Sequence, residues 1–336
     1  MSNIVHIGLG KTATTTLQRH IFPKLAEMHG YKYNSPHITK LLRKSVVTCL
    51  SDKEVVELAG YLSSNDNLIS IESLVNWNPD LWEKAAERNL AILGEKARIL
   101  ITIREPLSWM TSLYQQKVHE GNVVQPEFFF LNKEAYEQSK YFSSESKLEY
   151  FCPDYLDLER LANIYISRFE LVTLADMSRI KNMEFLDDLL KITHEERATL
   201  ASLFSSAKAE NRGYSKNAMA LTLMRERLFN SLGLKTFGSS DRRMEDFQAS
   251  WVSAEKAARK PVKKYKDLPI GKKILLFPKR MAGRIFHVPR WRYLMQEIFD
   301  KLVPYNKYRL PKQVYINEKQ IQKNRDFIKN LNGGGG

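Results

Sequence analysis

The hydrophobic positions of the chain fall into short β-branched runs separated by stretches with helical spacing. Ile4-Val5-His6-Ile7 reads as a short buried strand. Leu17, Ile21, Leu25 and Met28 then recur every three or four residues, with Pro23 placed to bend or divide that helix and Gly30 to end it. A basic, helix-like segment covers 37–50. Ser51-x-x-Glu54 has capping-box spacing and opens a helix carrying Val55, Val56, Leu58, Ala59 and Leu62. Asn67-Leu68-Ile69-Ser70-Ile71 is a second strand, ending at Glu72. A helix from Pro79 to about Leu93 stops at Gly94. Arg98 to Ile103 is the clearest strand and ends at Arg104; Pro106 opens a helix through His119, with Gly121 as its stop.

Farther on, a helix over Asp154 to Ser167 leads into a strand over Phe169 to Leu174. Helices around 182–192, 194–204 and 216–232 follow, the middle one with Thr193-x-x-Glu196 as its capping box. After Gly233 the pattern loosens, and Pro261, Pro269, Pro278 and Pro289 argue for loops and short helices. A helix over Asn317 to Leu331 closes the chain. The order β-α-α-β-α-β-α predicts a central parallel sheet with helices on both faces, a three-layer α/β/α architecture. We read one domain over 1–332: core sheet and cofactor site at 1–232, a basic closing region at 233–315, a last helix at 316–332, then a glycine tail at 333–336.

The 336 residues, 43% of them hydrophobic, suffice for a sizeable core. Two cysteines, Cys49 and Cys152, are too few for a disulfide framework and lack metal-ligand spacing. The start of the chain has no secretory pattern, and no apolar run approaches the roughly 20 residues of a membrane span. A cytoplasmic protein with reduced thiols is therefore expected. The net charge of +14 is concentrated: between Lys256 and Arg292 stand thirteen basic residues and one acidic residue, Asp267. Such asymmetry suggests an anionic partner.

The chemistry begins at the first strand. Gly8-Leu9-Gly10-Lys11-Thr12-Ala13-Thr14-Thr15-Thr16 breaks it with two glycines and opens the next helix with threonines. Strand, glycine turn and helix N-terminus form a geometry that cradles a phosphate, because free N–H groups and the positive dipole end face the anion. A Walker A loop would need a glycine where Val5 stands, and the interval from Gly8 to Lys11 is too short. The strand ends offer Glu72 and Arg104 rather than an aspartate for Mg²⁺.

Gly10-Lys11-Thr12-Ala13-Thr14-Thr15-Thr16-Leu17-Gln18 resembles the 5′-phosphosulfate loop of the PAPS-dependent sulfotransferases, which reads approximately Pro-Lys-Thr-Gly-Thr-Thr-Ser/Thr-Leu. Ile99 to Arg104, then Pro106 and Ser112, resembles the family's second signature, a strand ending in arginine followed by a serine on the next helix. Asn211, Asn217 and Asn324 continue the match more weakly. The resemblance implies a P-loop NTPase-like sulfotransferase fold and covers most of the chain outside 235–315. Two residues depart from it: Gly10 stands for the family proline and Ala13 for its glycine. The first change loosens the loop without removing a donor. The second requires φ < 0 or carries strain.

The resemblance implies metal-independent, in-line transfer of a sulfuryl group from PAPS to an acceptor hydroxyl or amine, leaving PAP. Lys11 would hydrogen-bond the bridging oxygen. Gly10, Lys11, Thr12, Ala13, Thr14, Thr15 and Thr16 would hold the 5′-phosphate, and Arg104, Ser112 and Arg212 the 3′-phosphate. Glu72, at the carboxyl end of a parallel strand, is the candidate base, because that edge is where open α/β sheets bind ligands. Its alternative role is to cap the following loop or pair with a lysine. His6 reads as a core histidine and His119 as a weaker base candidate; Trp77 and Trp109 either stack on rings or pack in the core.

The expected acceptor is a carbohydrate or glycolipid. The basic segment 256–292 offers three readings: a polyanion or sugar surface, peripheral contact with anionic lipid, or a solvated face. Nucleic acid would match the charge, but no nucleic-acid fold signature accompanies it. Two rival functions stay open: a P-loop-like ATP-dependent kinase and a catalytically silent polyanion-binding protein.

Overall fold

The computed structural model describes residues 3–120, 123–140, 150–207, 213–231 and 288–333. The chain divides into two compact units, one of Met1–Met110, Phe130–Asn211 and Tyr315–Gly336, the other of Thr111–Phe129 and Arg212–Val314. Arg212 and residues 256–287 of the basic segment lie outside the described residues.

The first unit is built on a five-stranded, wholly parallel sheet. Its strands are β1 (Asn3–Gly8), β2 (Lys32–Tyr33), β3 (Asn67–Ser70), β4 (Arg98–Thr102) and β5 (Leu171–Ala175), in the order β2-β3-β1-β4-β5. A parallel strand covered on both faces reads as continuous apolar sequence, which is why β1 and β4 stood out. Ile4 pairs with Leu68 on one side and Arg98 on the other. Ile4, Leu68 and Leu100 share a buried cluster with Leu17, Ile21, Phe22 and Leu25 of the helical run 14–29 and with Phe185 and Leu200. The alternate residues Val5, Ile69, Ile99 and Ile101 are equally buried, so both faces of the sheet are covered. Each such side chain contributes about 1.5–3 kcal/mol relative to exposure.

The helical run 14–29 passes through Pro23 unbroken. A π-helical turn at Leu17–Ile21 hands over to Phe22–His29, where Pro23 stands in the first turn and needs no N–H. Both capping boxes form, at Ser51 and at Thr193. The helix expected at 182–192 is instead two short ones, Met177–Lys181 and Phe185–Leu189, separated where Met183 takes φ 57°. The helix expected from Asp154 starts at Leu158, with Asp157 accepting from Arg160 N–H at its N-cap. β2 has two residues and no apolar run, so hydrophobic patterning had nothing to register.

The second unit centres on the helix Lys216–Ser231. Thr222 accepts from Trp291 Nε1 at 2.9 Å, and the Arg225 guanidinium lies 4.6 Å from the Trp291 ring centre. Ser215 bridges to Lys307, and its N–H donates to Asp300 Oδ2 at 3.0 Å. Among the described residues no helix is long and apolar enough to cross a membrane.

Candidate functional site

β3, β1 and β4 are neighbours, so the chain segments leaving their carboxyl ends share one edge of the sheet. β1 leads into the loop 9–13, β3 into a single 3₁₀ turn at Glu72–Leu74, and β4 into Arg104. From β1 the chain moves to β2 and β3 on one side and later to β4 on the other. That reversal creates the crevice in which open α/β sheets take ligands.

The loop is held by its carbonyl groups. Leu9 O accepts from the Thr12 hydroxyl at 2.5 Å, Gly10 O from Trp109 Nε1 at 3.0 Å, Lys11 O from Arg104 Nη1 at 3.0 Å, and Ala13 O from Leu17 N–H at 3.1 Å. In a trans peptide the C=O and the next N–H point opposite ways. The N–H groups of Gly10, Lys11, Thr12 and Thr14 therefore turn away from the donors that anchor the loop. Lys11 and Ala13 both take left-handed backbone, φ 68° and φ 59°, the alternation that gathers successive N–H groups into an anion-binding nest. Ala13 so carries the strain that its missing glycine would have avoided, about 1–2 kcal/mol.

Gly10 is not a loosened proline. A Cβ there would run into the Trp77 ring and stand 2.5 Å from Glu72 Oε2. Close approach of Trp77 and Glu72 to the loop backbone is what requires glycine. Gly8 is constrained in the same way: it has φ 119°, and a Cβ would lie 2.9 Å from Glu72 O.

Glu72 is half-buried, and its carboxylate accepts from the Thr14 hydroxyl. Burial pushes its pKa above the ordinary 4.5; the Thr14 hydrogen bond and the charges of Lys11 and Arg43 pull downward without winning. Arg43, on the helix Pro36–Val47, has no sequence signal that ties it to the site. Arg104 is half-buried as well, its pKa lowered by burial and supported by Glu105.

Beneath the loop runs a second layer. Ser70, His6 and Thr102 stand one inward-facing step beyond Leu68, Ile4 and Leu100, so three strands present a polar row on a buried face. Gln18 Nε2 lies 3.0 Å from Ser70 Oγ, Ser70 Oγ 2.7 Å from His6 Nδ1, and His6 Nε2 3.0 Å from Thr102 Oγ1. Thr102 Oγ1 lies 2.5 Å from Thr12 Oγ1. Leu9 O can only accept, and both Thr12 at 2.5 Å and Thr102 at 3.3 Å reach it. One threonine donates to Leu9 O and the other to its neighbouring hydroxyl, so both protons are used and His6 donates its Nε2–H to Thr102. His6 Nδ1 then accepts from Ser70, which accepts from Gln18. Every group in this chain is used. Burial lowers the His6 pKa to about 3, so the ring is neutral.

These placements revise several residue roles. The Thr12 side chain is fully buried and committed to Leu9 and Thr102, so its hydroxyl is not open to a ligand. The Thr14 hydroxyl serves Glu72. Thr15 and Thr16 sit half-buried in the first helical turn. Trp109 is 1% exposed, packs 5.7 Å from Phe151 and clamps Gly10, a core role rather than a stacking platform. Asn324 is buried and clamps the chain before Leu158: its Oδ1 accepts from Leu158 N–H and its Nδ2 donates to Leu156 O. In the second unit, His119 is buried edge-on against Tyr214, 4.0 Å between ring centres. Ser112 lies in the part of the helix Pro106–His119 that belongs to that unit. Arg212 is outside the described residues. Only the alignment of Ser70, His6 and Thr102 on three strands could have revealed the lower layer beforehand. Comparison with protein-family models, curated proteins and solved structures gave no match.

Proposed function

We propose that the protein is a sulfotransferase that uses PAPS as donor and an acceptor hydroxyl as nucleophile, on a P-loop-like sulfotransferase fold. The observation that carries this reading is the meeting of Glu72 with the Lys11 loop at the carboxyl edge of β1 and β3. The resemblance of the Lys11 and Arg104 segments to the family's two signatures supplies the donor's identity. The residues present fit such a donor: the nest of N–H groups and Lys11 suit a 5′-phosphosulfate, and the Arg104 guanidinium suits a phosphate dianion.

PAPS supplies a sulfuryl group on a good leaving group. Lys11 and the loop N–H groups stabilise negative charge as it grows on the departing phosphate, an electrostatic effect worth several kcal/mol in a water-poor site. Glu72 takes the acceptor's proton; a carboxylate pushed upward by burial is a stronger base than an exposed one. Thr14 orients that carboxylate through its hydroxyl. Arg104, by holding Lys11 O, ties the loop's shape to the ligand it would contact.

Calorimetry with PAP and with ATP·Mg²⁺ tests the reading. Micromolar or tighter PAP binding without metal supports it, and selective binding of ATP·Mg²⁺ replaces it with a kinase. A transfer screen with PAPS against sugar, glycolipid, phenolic and amine acceptors then identifies the nucleophile.

A further inference from the structure

The second unit contains a cleft of about 970 Å³. Its floor is one face of the helix Lys216–Ser231: Lys216, Ala220, Leu223, Met224 and Arg227 fall at successive intervals of four, three, one and three residues. The cations end this stripe and the apolar residues fill its middle, with about 16 Å of helix between Lys216 and Arg227. The facing wall is the irregular segment 306–312, which adds Lys307, Arg309 and Lys312. Lys216 N–H donates to Asn306 O at 2.7 Å at one end, and Arg227 Nη2 donates to Gln125 Oε1 at 2.6 Å at the other, so floor and walls are joined at both ends.

Two features of this lining lack a structural explanation. Five cationic side chains face one carboxylate, Glu127, and among the described residues none of the five forms an ion pair. Like charges gathered without opposite charges to pair with repel, and a bound anion would relieve that repulsion. Between them Met224 is 61% exposed, a large, adaptable apolar side chain in water at the middle of a concave surface. A plain anion would leave that middle unused, and an uncharged hydrocarbon would leave the cations at the Lys216 end unused.

We propose that this cleft binds a single anionic amphiphile: a molecule with a phosphate, sulfate or carboxylate head held by the Lys216, Lys307 and Arg309 cations and an alkyl or similarly apolar body lying on Leu223 and Met224. The volume is that of a site for one small or medium ligand. A concave floor takes one molecule in; it does not present a convex apolar face to a bilayer. None of the residues lining this cleft belongs to the Lys11 loop site.

Titration calorimetry of the full chain with dodecyl phosphate, kept below its micelle concentration, tests the proposal without any nucleotide. Binding is expected at one molecule per chain. Inorganic phosphate is expected to bind at least tenfold more weakly, and dodecanol likewise. The exposed double change Lys307→Glu/Arg309→Glu and the separate Met224→Glu are each expected to weaken dodecyl phosphate at least tenfold with an unchanged circular-dichroism melt. The proposal is overturned if both variants bind as tightly as the parent protein, or if inorganic phosphate matches dodecyl phosphate. It is equally overturned if the protein sediments with phosphatidylglycerol vesicles yet does not bind the monomeric amphiphile.

Discussion

The two sides of the Lys11 loop are built from the same three strands and behave oppositely. Below it, Gln18, Ser70, His6, Thr102 and Thr12 form a neutral chain in which every donor has an acceptor within the layer. Above it, Lys11, Glu72 and Arg104 bring charges together at half-buried positions. Burial shifts both titrating residues toward their neutral forms: His6 downward and Glu72 upward. For His6 this secures a strut that stays neutral at physiological pH. For Glu72 it produces a carboxylate readier to accept a proton. A group fully used by its neighbours supports the loop, and a group held but not exhausted remains for chemistry.

The strongest test of that division is Lys11→Ala, which leaves the lower layer untouched. PAPS-dependent transfer is expected to fall roughly 10³-fold with an unchanged urea midpoint; full activity would remove the upper side from catalysis. His6→Ala tests the lower side. It leaves Ser70 and Thr102 without their partner and opens a cavity, for an expected loss of about 3 kcal/mol in urea unfolding.

That variant also carries a pH signature. The folded His6 pKa is about 3 and the unfolded value is 6.5, so the unfolded state gains the proton first. Stability is therefore complete above pH 6.5 and declines by about 1.4 kcal/mol per unit as pH falls toward 3. His6→Ala is expected to lose this component of the acid sensitivity; an unchanged slope would show that His6 does not titrate as the buried strut requires.

Glu72 has the opposite sign. Its folded pKa lies above the unfolded 4.5, so its contribution to stability is present below pH 4.5 and is lost as pH rises through the folded value. Glu72→Gln is expected to be more stable than the parent near neutral pH. Its transfer rate should drop about 10²-fold while PAP affinity holds, and it should lack the acid limb that in the parent lies above pH 4.5. Loss of PAP binding with the rate would make Glu72 a ligand contact instead of a base. The smallest effect is reserved for Ala13→Gly. Relief of left-handed strain, partly offset by glycine's greater unfolded freedom, should stabilise the protein by about 0.5–1 kcal/mol in urea midpoints.

Local rules carried the reading a long way. Four of the five strands, both capping boxes and the Pro106 helix were legible because each depends on a few neighbouring residues: an apolar run, a serine or threonine followed by glutamate, a proline at a first turn. Glu72 and Arg104 were legible as strand-end residues for the same reason. Patterning failed where length was short, as at β2, and where a single left-handed residue, Met183, divided a helix.

The sequence by itself determined that a glycine loop with Lys11 follows a buried parallel strand, because periodicity and turn chemistry are properties of contiguous residues. Only the tertiary structure decided how that loop is held. It gave Gly10 a reason in the approach of Trp77 and Glu72, placed Ala13 in left-handed backbone, turned Thr12 inward, and lined up His6 with Ser70 and Thr102. Those contacts join residues as many as 99 positions apart, from Gly10 to Trp109, and depend on strand order and register. No stretch of the chain read alone encodes them.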